Sequence, residues 1–216
     1  MKLKQFNFQK VKSTNQIAIR LIKSSKNEFG LIVSETQSKG KGQYGRKWIS
    51  YKGNIFLSFF YKLENINLSL RSLTKINCFL VKDVISKYYK KRITFKLPND
   101  LLINKKKICG ILIELKVKGN QIENIIIGFG LNVNQVKFSG LPYASSLKLI
   151  SNDDYELDGI SNLFIQSLTR HNYLNELQSS GFQNDFFKLM NIYSLTRTRN
   201  TDLRLSRSEK TSGASL

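Results

Sequence analysis

The positions of apolar and polar residues predict an alternation of strands and helices along most of the chain. Short apolar runs and two-residue alternation predict strands, and apolar residues three or four positions apart predict helices. Strands are predicted at residues 6–11, 31–35, 54–61, 93–96, 101–103, 108–115 and 124–134, with a turn at 104–107. Helices are predicted at residues 16–22, 68–89, 158–177 and 182–193. The helix at 68–89 has one apolar face, which we expect to pack on a sheet.

Polar residues stand immediately before the first predicted helix. Ser13 or Thr14 is in the position of a helix N-cap, whose side-chain oxygen accepts a hydrogen bond from a free backbone N–H of the first turn. Hydroxyl groups at a helix start can also face a pocket and bind a polar ligand group. Because such residues are ordinary caps, the sequence favours the capping role.

A glycine-rich, cationic segment at residues 37–48 separates the second and third predicted strands. Its glycines let the backbone approach a ligand closely, and its cations stand beside exposed amide groups, a combination that suits phosphate or carboxylate. The glycines are Gly40, Gly42 and Gly45, and the cations expected at the ligand are Lys41, Arg46 and Lys47. This glycine loop is the first candidate for a binding site.

The same glycines match the G-x-G-x-x-G spacing of the dinucleotide-binding turn. That turn requires a helix to begin at its last glycine, so that the pyrophosphate lies at the helix N-terminus. Residues 46–53 have no helical periodicity and lead into a strand. The sequence therefore argues against a Rossmann-type site.

The composition is that of a folded domain, since 41% of the 216 residues are hydrophobic. The apolar stretches are shorter than the ~20 residues of a membrane span, and the N-terminus lacks a signal-peptide pattern, so we expect a cytoplasmic protein. Cys78 and Cys109 have no metal-like spacing and His171 is the single histidine, which argues against a zinc site. Both cysteines are expected to be reduced core residues.

The formal charge is +20, from 35 Lys and Arg against 15 Asp and Glu. Basic surfaces bind polyanions, so one alternative is a non-enzymatic nucleic-acid-binding protein. The cations are spread almost evenly along the chain, which favours solvated surface lysines. A preference for an acidic protein partner is compatible with both interpretations.

Residues 96–134 contain further candidates. Lys107, the last residue of the predicted turn, could point inward at the anion site of the glycine loop. Asp100 could hold magnesium or orient a cationic side chain of that loop. Gly110 indicates a bulge or a ligand lying against the backbone, and Gly128 and Gly130 would open space on the same sheet face.

Four segments in a fixed order resemble the motifs of biotin protein ligases. They are residues 13–16, residues 37–48, residues 96–100 with 107–114, and residues 128–134. The family motifs that they resemble are Ser-Thr-Asn, Gly-Arg-Gly-Arg-x-Gly-Arg-x-Trp, Lys-Trp-Pro-Asn-Asp with Lys-x-x-Gly-Ile-Leu-x-Glu, and Gly-x-Gly-x-Asn. The similarity covers roughly residues 5–190 and is far more specific than the glycine spacing alone.

The resemblance implies a fold, a reaction and a partner. The fold is α/β (α+β type), a mixed sheet flanked by helices that is related to class II aminoacyl-tRNA synthetase cores. The reaction is carbon–nitrogen ligation with ATP and Mg²⁺: biotin becomes biotinyl-5′-AMP and is then transferred to a lysine of a biotin carboxyl carrier protein, such as the biotin domain of acetyl-CoA carboxylase. This chemistry needs positioning and electrostatic stabilisation but no enzyme nucleophile.

The resemblance also implies roles for individual residues. The biotin-binding residues would be Ser13, Thr14, Asn15, Gln37, Gly40, Lys41, Gly42, Gln43, Lys107, Gly110 and Gly130. The nucleotide-binding residues would be Lys41, Arg46, Trp48, Asn99, Lys107 and Asn132. Catalysis would fall to Lys107, Lys41 and Arg46, and the metal ligand would be Asp100.

The chain departs from the family motifs at several points. Lys41 and Gln43 stand where arginines are usual; Lys41 keeps a charge without the planar guanidinium, and Gln43 loses the charge, so we expect looser retention of the adenylate. Leu97 replaces a tryptophan. We recognise no helix-turn-helix before residue 6 and no C-terminal β-domain after Tyr193, so a repressor function is not expected. We expect a catalytic domain at residues 1–193 and a disordered polar tail at 194–216.

Two rival functions stay open. A lipoate or octanoate protein ligase or transferase would share the fold and a pocket lysine, but its Arg-Arg and Gly-Gly-Gly-x-Val-x-His segments have no counterpart in the chain. The second rival is the basic nucleic-acid-binding protein. The sequence also leaves open which carrier is modified and whether two copies form a homodimer through a sheet edge.

Overall fold

The structure, a computed structural model, describes residues 3–24, 28–62, 69–118 and 121–169. The strands are β1 (Gln5–Val11), β2 (Phe29–Gln37), β3 (Ile55–Lys62), β4 (Thr94–Lys96), β5 (Asp100–Ile103), β6 (Lys106–Lys118) and β7 (Gln121–Leu131). The helices are α1 (Thr14–Ser24), α2 (Leu70–Tyr88), α3 (Leu147–Ser151) and α4 (Leu157–Thr169). The strands form one sheet in the order β1-β2-β3-β7-β6-β5-β4. The predicted α/β fold with helices around a mixed sheet is confirmed.

The sheet is mixed because of a single parallel pair among these seven strands. β1 and β2 run parallel, and the remaining neighbouring pairs are antiparallel. Parallel neighbours need a crossover connection, which α1 supplies. β1 and β4 are the edge strands of the described sheet, so the two longest strands, β6 and β7, lie in its interior.

The register separates two faces of the sheet, because successive side chains of a strand alternate. Ser58, Gly128 and Leu112 lie side by side on one face. Helix α1 packs on this face, where Ala18 lies in a buried cluster with Ile126 of β7. We call it the α1 face.

Helices α2 and α4 pack on the opposite face. The rings of Phe129 and Phe164 meet there with centroids 5.6 Å apart, and α2 contacts α4, β5 and β6. The side chain of Ser69 caps α2 by accepting a hydrogen bond of 3.1 Å from the N–H of Ser72. The predicted packing of the 68–89 helix on a sheet is confirmed, and its helical part is residues 70–88.

The hairpin between β5 and β6 differs from the predicted one. Its turn contains Asn104 and Lys105, both with positive φ (49° and 63°), as two-residue hairpin turns require. Lys106 and Lys107, predicted in the turn, belong to β6. A tighter turn thus places Lys107 on a sheet strand, where its backbone is fixed by neighbouring chain segments.

Some predictions concern residues beyond the described ones. The predicted 158–177 helix corresponds to α4, which begins at Leu157 and is described to Thr169. The rest of that helix, the 182–193 helix, the boundary at 193 and the polar tail lie outside the described residues.

Helix α3, capped by Ser146, was not predicted. In the described part of the chain, no helix is both long and apolar enough to cross a membrane.

The two thiols should be unreactive in the native protein. Cys78 and Cys109 are buried and free. Burial, helped by the charge of Asp100, raises the pKa of Cys78 to about 12, and burial raises the pKa of Cys109 well above its ordinary value. Because the thiolate is the reactive form, alkylation by iodoacetamide near pH 8 should be at least roughly 100-fold slower than in the unfolded chain.

Mass spectrometry of a labelling time course measures this difference. The same reaction in guanidinium chloride is the control and should modify both cysteines rapidly. Equal rates for native and unfolded protein would contradict the buried placement of both cysteines.

Candidate functional site

A cavity of about 290 Å³ opens on the α1 face. This volume is just below the ~300–1,000 Å³ typical of small-molecule sites. The cavity is bounded by the start of α1, the glycine loop, the segment 96–100 and the facing parts of β6 and β7. Of the predicted site residues, the lining contains Ser13, Thr14, Asn15, Gln37, Lys41, Gly42, Gln43, Arg46, Trp48, Asn99, Asp100, Lys107, Gly110 and Gly130.

Two predicted ligand residues, Gly40 and Asn132, are not in this lining. A Cβ on Gly40 would lie 2.6 Å from the carbonyl oxygen of Trp48 and 2.7 Å from Oγ of Ser50, so this glycine lets the base of the loop close. The side chain of Asn132 is buried and donates to the carbonyl of Ser145 at 3.0 Å. Both residues shape the surrounding chain, and the structure does not bring them to the cavity.

The glycine loop folds back on itself as a small hairpin. The N–H of Gly42 donates to the carbonyl of Arg46 at 2.7 Å, and the N–H of Trp48 donates to the carbonyl of Gly40 at 2.9 Å. A short 3₁₀ turn, Gln43–Gly45, forms the tip, where Gly45 has φ 73°. No helix begins at Gly45, which agrees with the argument against a Rossmann-type site. The hairpin instead holds exposed cations at the rim of the cavity.

Three glycines on β6 and β7 leave room for side chains from elsewhere. A Cβ on Gly110 would lie 2.7 Å from Cζ3 of Trp48, and one on Gly130 would lie 2.5 Å from its Cε2. A Cβ on Gly128 would collide with the side chain of Asn15. The predicted space on one sheet face is therefore present. The interpretation of Gly110 as a bulge is wrong, because Gly110 pairs with Asp100 and Gly130 in register. The extra residue is Ile108 of β6, opposite the step from Leu101 to Leu102.

A polar network fixes the side chains at the start of α1. Both the N–H and the hydroxyl of Thr14 donate to Oε1 of Gln37, at 2.8 and 3.1 Å. Ser58 Oγ lies 2.7 Å from Thr14 Oγ1 and 2.5 Å from Asn15 Oδ1, and Asn15 Nδ2 donates to Glu114 Oε2 at 2.7 Å. Packing and hydrogen bonds that lock rotamers in this way are what a specific binding site requires.

This network changes the predicted role of the residues before α1. The helix begins at Thr14, and the carbonyl of Ser13 accepts from the N–H of Ile17 at 3.1 Å, so Ser13 occupies the N-cap position. The side chain of Thr14 is directed to Gln37 rather than to the helix backbone. Sequence reasoning missed Ser58, whose signal was a single serine within a largely apolar strand.

Lys107 is held between a carboxylate and an aromatic ring. Its Nζ lies 2.7 Å from Oδ1 of Asp100 and 4.9 Å from the centroid of the Trp48 ring. The Lys107 and Asp100 side chains are 30% and 16% exposed, so their attraction is screened less than that of a surface pair. The backbone N–H of Lys107 donates to the carbonyl of Tyr143 at 2.7 Å, which fixes the strand beneath the side chain.

The lining is strongly cationic. Its basic residues are Lys41, Arg46, Lys47, Lys96 and Lys107, and among the described lining residues Asp100 is the one carboxylate. A concave surface with one sign of charge concentrates ions of the opposite sign. Lys96 and Lys47 were not assigned to the site by the resemblance, although both belong to its motif segments. The cavity is suited to an anionic ligand.

The side chains near Asp100 can be compared with those that a magnesium ion requires. Among the described residues, no group of three or more His, Cys, Asp or Glu side chains is arranged to hold a metal ion. Asp100, the predicted metal ligand, pairs with Lys107. Protein-bound Mg²⁺ keeps several waters and is held by one or two carboxylates together with substrate phosphates. These residues therefore fit magnesium brought in with a nucleotide, and they do not form a separate protein cage.

The chain is an α/β domain with a mixed sheet and, on one face of that sheet, a cationic, glycine-lined cavity suited to a small anionic ligand. The family model described as "Biotin/lipoate A/B protein ligase family" matches residues 7–132, and the chain belongs to this family.

The similar proteins include biotin ligases. Over 124 residues the chain is 34% identical to the bifunctional ligase/repressor BirA of Escherichia coli. This match covers 57% of this chain and 38% of that protein. It is 26% identical over 138 residues to the biotin–[acetyl-CoA-carboxylase] ligase of Paracoccus denitrificans, covering 63% of this chain and 55% of that protein. The matched regions thus span 38% and 55% of these relatives' own lengths.

Solved structures agree with this family. The biotin protein ligase from Aquifex aeolicus in complex with biotin and ATP superposes with a TM-score of 0.66 at 26% identity, covering 77% of this chain and 68% of that chain. A lipoate protein ligase from Thermoplasma acidophilum superposes with a TM-score of 0.54 at 11% identity, covering 78% of this chain and 83% of that chain. The second similarity shows a shared fold alone.

Replacing Gly110 by alanine should displace Trp48. The added methyl would lie 2.7 Å from the indole and 3.2 Å from Nζ of Lys107. Overpacking of this kind destabilises a protein by about 1–3 kcal/mol. Because Trp48 is the single tryptophan, its fluorescence should shift to the red and become more accessible to acrylamide, and Tm should fall.

Gly42→Ala is the matched control. It adds the same methyl group where the nearest atom, the carbonyl oxygen of Arg46, is at an ordinary contact distance of 3.5 Å. Its emission should resemble that of the wild type. Identical emission and Tm in Gly110→Ala and the wild type would show that Trp48 does not pack on β6.

Proposed function

We propose that this protein is a biotin protein ligase, which activates biotin with ATP and transfers it to a lysine of a biotin carboxyl carrier protein. The observation that carries the proposal is one cavity with two kinds of lining. A polar network with Asn15 faces Gly128 of β7. Two residues along the strands, Trp48 covers the pair Gly110 and Gly130, and the ammonium of Lys107 lies beside Gly110. Biotin has the same division, since its ureido ring is polar and neutral and its carboxylate is charged.

The polar end favours biotin over lipoate. A ureido ring has N–H donors and a carbonyl acceptor, which the amide and hydroxyl groups of Thr14, Asn15 and Gln37 in the cavity lining can complement. The dithiolane ring of lipoate has no such groups, so it would form no hydrogen bonds with these side chains. Sites built for hydrogen bonding reject analogues that lack the bonding groups. A lipoate ligase is therefore the second candidate, supported by its shared fold.

The cationic end suits the first step of the reaction. A carboxylate oxygen of biotin attacks the α-phosphorus of ATP, an oxygen–phosphorus bond forms, and the bond to pyrophosphate breaks. Both reactants are anions, so their approach is opposed by charge repulsion. The ammonium groups of Lys107 and Lys41 lower this repulsion and stabilise the charge that develops on the phosphate. Bound magnesium would supply further charge neutralisation at the phosphates, with Asn99 and Asp100 as the adjacent polar side chains.

The second step needs an open approach to the activated acyl group. The ε-amine of the carrier lysine attacks the acyl carbon, the amide bond forms, the bond to AMP breaks, and the amine loses a proton. The hairpin of the glycine loop forms one wall of the cavity, so Lys41 and Arg46 are placed to retain the adenylate until the carrier arrives.

Trp48 supports a nucleotide at this site. Among the described residues, the indole N–H of Trp48 is buried without a hydrogen-bond partner. Buried donors in native proteins are almost always paired, so an unpaired one beside a cavity requires an explanation, such as a partner group or water that is supplied from outside the chain. We propose that a nucleotide group completes the environment of this indole.

Biotin-dependent ATP–pyrophosphate exchange tests the proposal. Exchange should require biotin and should not occur with lipoate, and labelled biotin should then appear on a carrier domain. Lys107→Met should lower the exchange rate about 10²–10³-fold, because it removes a charge that faces the transition state.

Lys105→Met is the matched control, since it removes the same charge at an exposed position of the adjoining turn, and it should retain wild-type exchange. Exchange supported by lipoate instead of biotin would establish the second candidate. Equal rates for the Lys107 and Lys105 variants would remove Lys107 from the proposed chemistry.

A further inference from the structure

A second depression, of about 470 Å³, lies along α1 outside the cavity. Its lining consists of Lys12, Gln16, Ile19, Arg20, Lys39 and Lys41, which we call the α1 groove. Four of these six residues are cations, and none is acidic. Lys41 lines both the α1 groove and the cavity, so the two are adjacent at the rim.

Two chain segments form the α1 groove and are tied together by backbone hydrogen bonds. Gln16, Ile19 and Arg20 lie on one side of α1, because residues three and four apart are neighbours on a helix. The N–H of Lys39 donates to the carbonyl of Lys12 at 2.8 Å, so the start of the glycine loop is attached to the residues before α1. The positive charges are thus held together by the fold.

The charges of the α1 groove have no internal counterpart. Its four cations are exposed, and within the residues that the structure describes none of them takes part in an ion pair. Elsewhere on the described surface Lys52 and Lys116 pair with glutamates at 2.9 Å, but other lysines have no such ion pair, so what distinguishes the α1 groove is the convergence of four cations in one depression. Like charges held close together oppose folding, so a cluster of this kind indicates a surface that meets negative charge from outside.

We propose that the α1 groove is the docking surface for an acidic face of the carrier protein that receives the acyl group. This inference rests on the proposed ligase function, because transfer requires a protein to place a lysine at the cavity while its body stays outside. A carrier seated in the α1 groove would lie directly beside Lys41 at the cavity rim. Complementary charge accelerates such encounters and selects against partners with a basic surface.

A nucleic acid fits the α1 groove less well than an acidic protein. Proteins that bind duplex DNA through its backbone commonly make about 6–10 phosphate contacts, and the α1 groove offers four cations. A nucleic acid bound there would also obstruct the cavity rim without contributing a group to the reaction. An acidic protein face needs a few carboxylates only.

Steady-state transfer kinetics with the full chain test the α1 groove. The carrier concentration is varied, with a biotin carboxyl carrier domain of net negative charge as the probe. In Lys12→Glu/Arg20→Glu the KM for the carrier should rise about tenfold at low ionic strength, while kcat and biotin-dependent ATP–pyrophosphate exchange stay at wild-type values. Added salt should reduce the difference from the wild type.

The matched control is Arg71→Glu/Lys87→Glu, which makes the same change in net charge at exposed positions of α2, on the opposite face of the sheet. It should leave the KM for the carrier within about twofold of wild type. If Lys12→Glu/Arg20→Glu loses exchange as well, the neutral variant Lys12→Gln/Arg20→Gln takes its place, with an expected rise in KM of about threefold.

A charge exchange gives the sharpest readout. Carrier variants in which acidic residues around the acceptor lysine are changed to lysine should be poor substrates of the wild type and better substrates of Lys12→Glu/Arg20→Glu. Equal KM values for the groove and control variants, or no improvement in the exchanged pair, would overturn the inference. A nucleic-acid site would give a different result. An oligonucleotide would inhibit transfer by the wild type but not by the groove variant, and the groove variant would have an unchanged KM for the carrier. That result would also overturn the inference.

Failure of the docking surface and failure of the proposed function give different results. Without biotin-dependent exchange in the wild type, the ligase proposal fails. With normal exchange and an unaltered carrier KM in the groove variant, the ligase proposal stands and the α1 groove is not the docking surface.

Discussion

The site depends on the absence of side chains at three positions of two adjacent strands. Gly110, Gly128 and Gly130 lie on the α1 face of β6 and β7, and a Cβ at any of them would meet Trp48 or Asn15. A sheet face with ordinary side chains would pack directly against α1 and the glycine loop. Because these three residues lack a Cβ, the polar and aromatic side chains that define the cavity can reach the sheet surface.

Charge placement follows from the same geometry. Lys107 follows a two-residue turn and points to the space above Gly110, where Asp100 of the neighbouring strand and the ring of Trp48 contact it. The carboxylate and the ring limit the positions of the flexible side chain, so little further conformational entropy has to be lost when an anion binds. The exposed cations of the glycine hairpin, by contrast, remain free to adjust to a ligand.

The sequence predicts the elements well because their periodicities are local. Residues 70–88 have a helical repeat, and β3 is a nearly continuous apolar run, so both were found at almost their observed bounds. The glycines at 128 and 130 stand two apart in a strand, and strand alternation alone places them on one face. The order of the motif segments indicated the family, and the chain belongs to it.

Long-range contacts account for what the sequence does not reveal. Ser13 or Thr14 was predicted as the helix cap because caps are local, and Ser13 occupies that position, but the side chain of Thr14 bonds to Gln37, which is 23 residues away. Gly40 was assigned to a ligand because it stands in a glycine-rich loop, whereas its close neighbours are Trp48 and Ser50 across the hairpin. Helix α3 has five residues, too few to show a helical repeat. Contacts between residues that are far apart in the sequence form only when the chain folds, so local sequence patterns do not reveal them.

We propose that the polar network and Lys107 bind the two ends of one activated ligand. A crystal structure with a non-hydrolysable biotinol-5′-AMP analogue would show whether they do. The ureido ring should lie against Thr14 and Asn15, and a phosphate oxygen should lie within hydrogen-bond distance of Nζ of Lys107. A phosphate bound away from Lys107, with the ammonium still confined to Asp100, would contradict it.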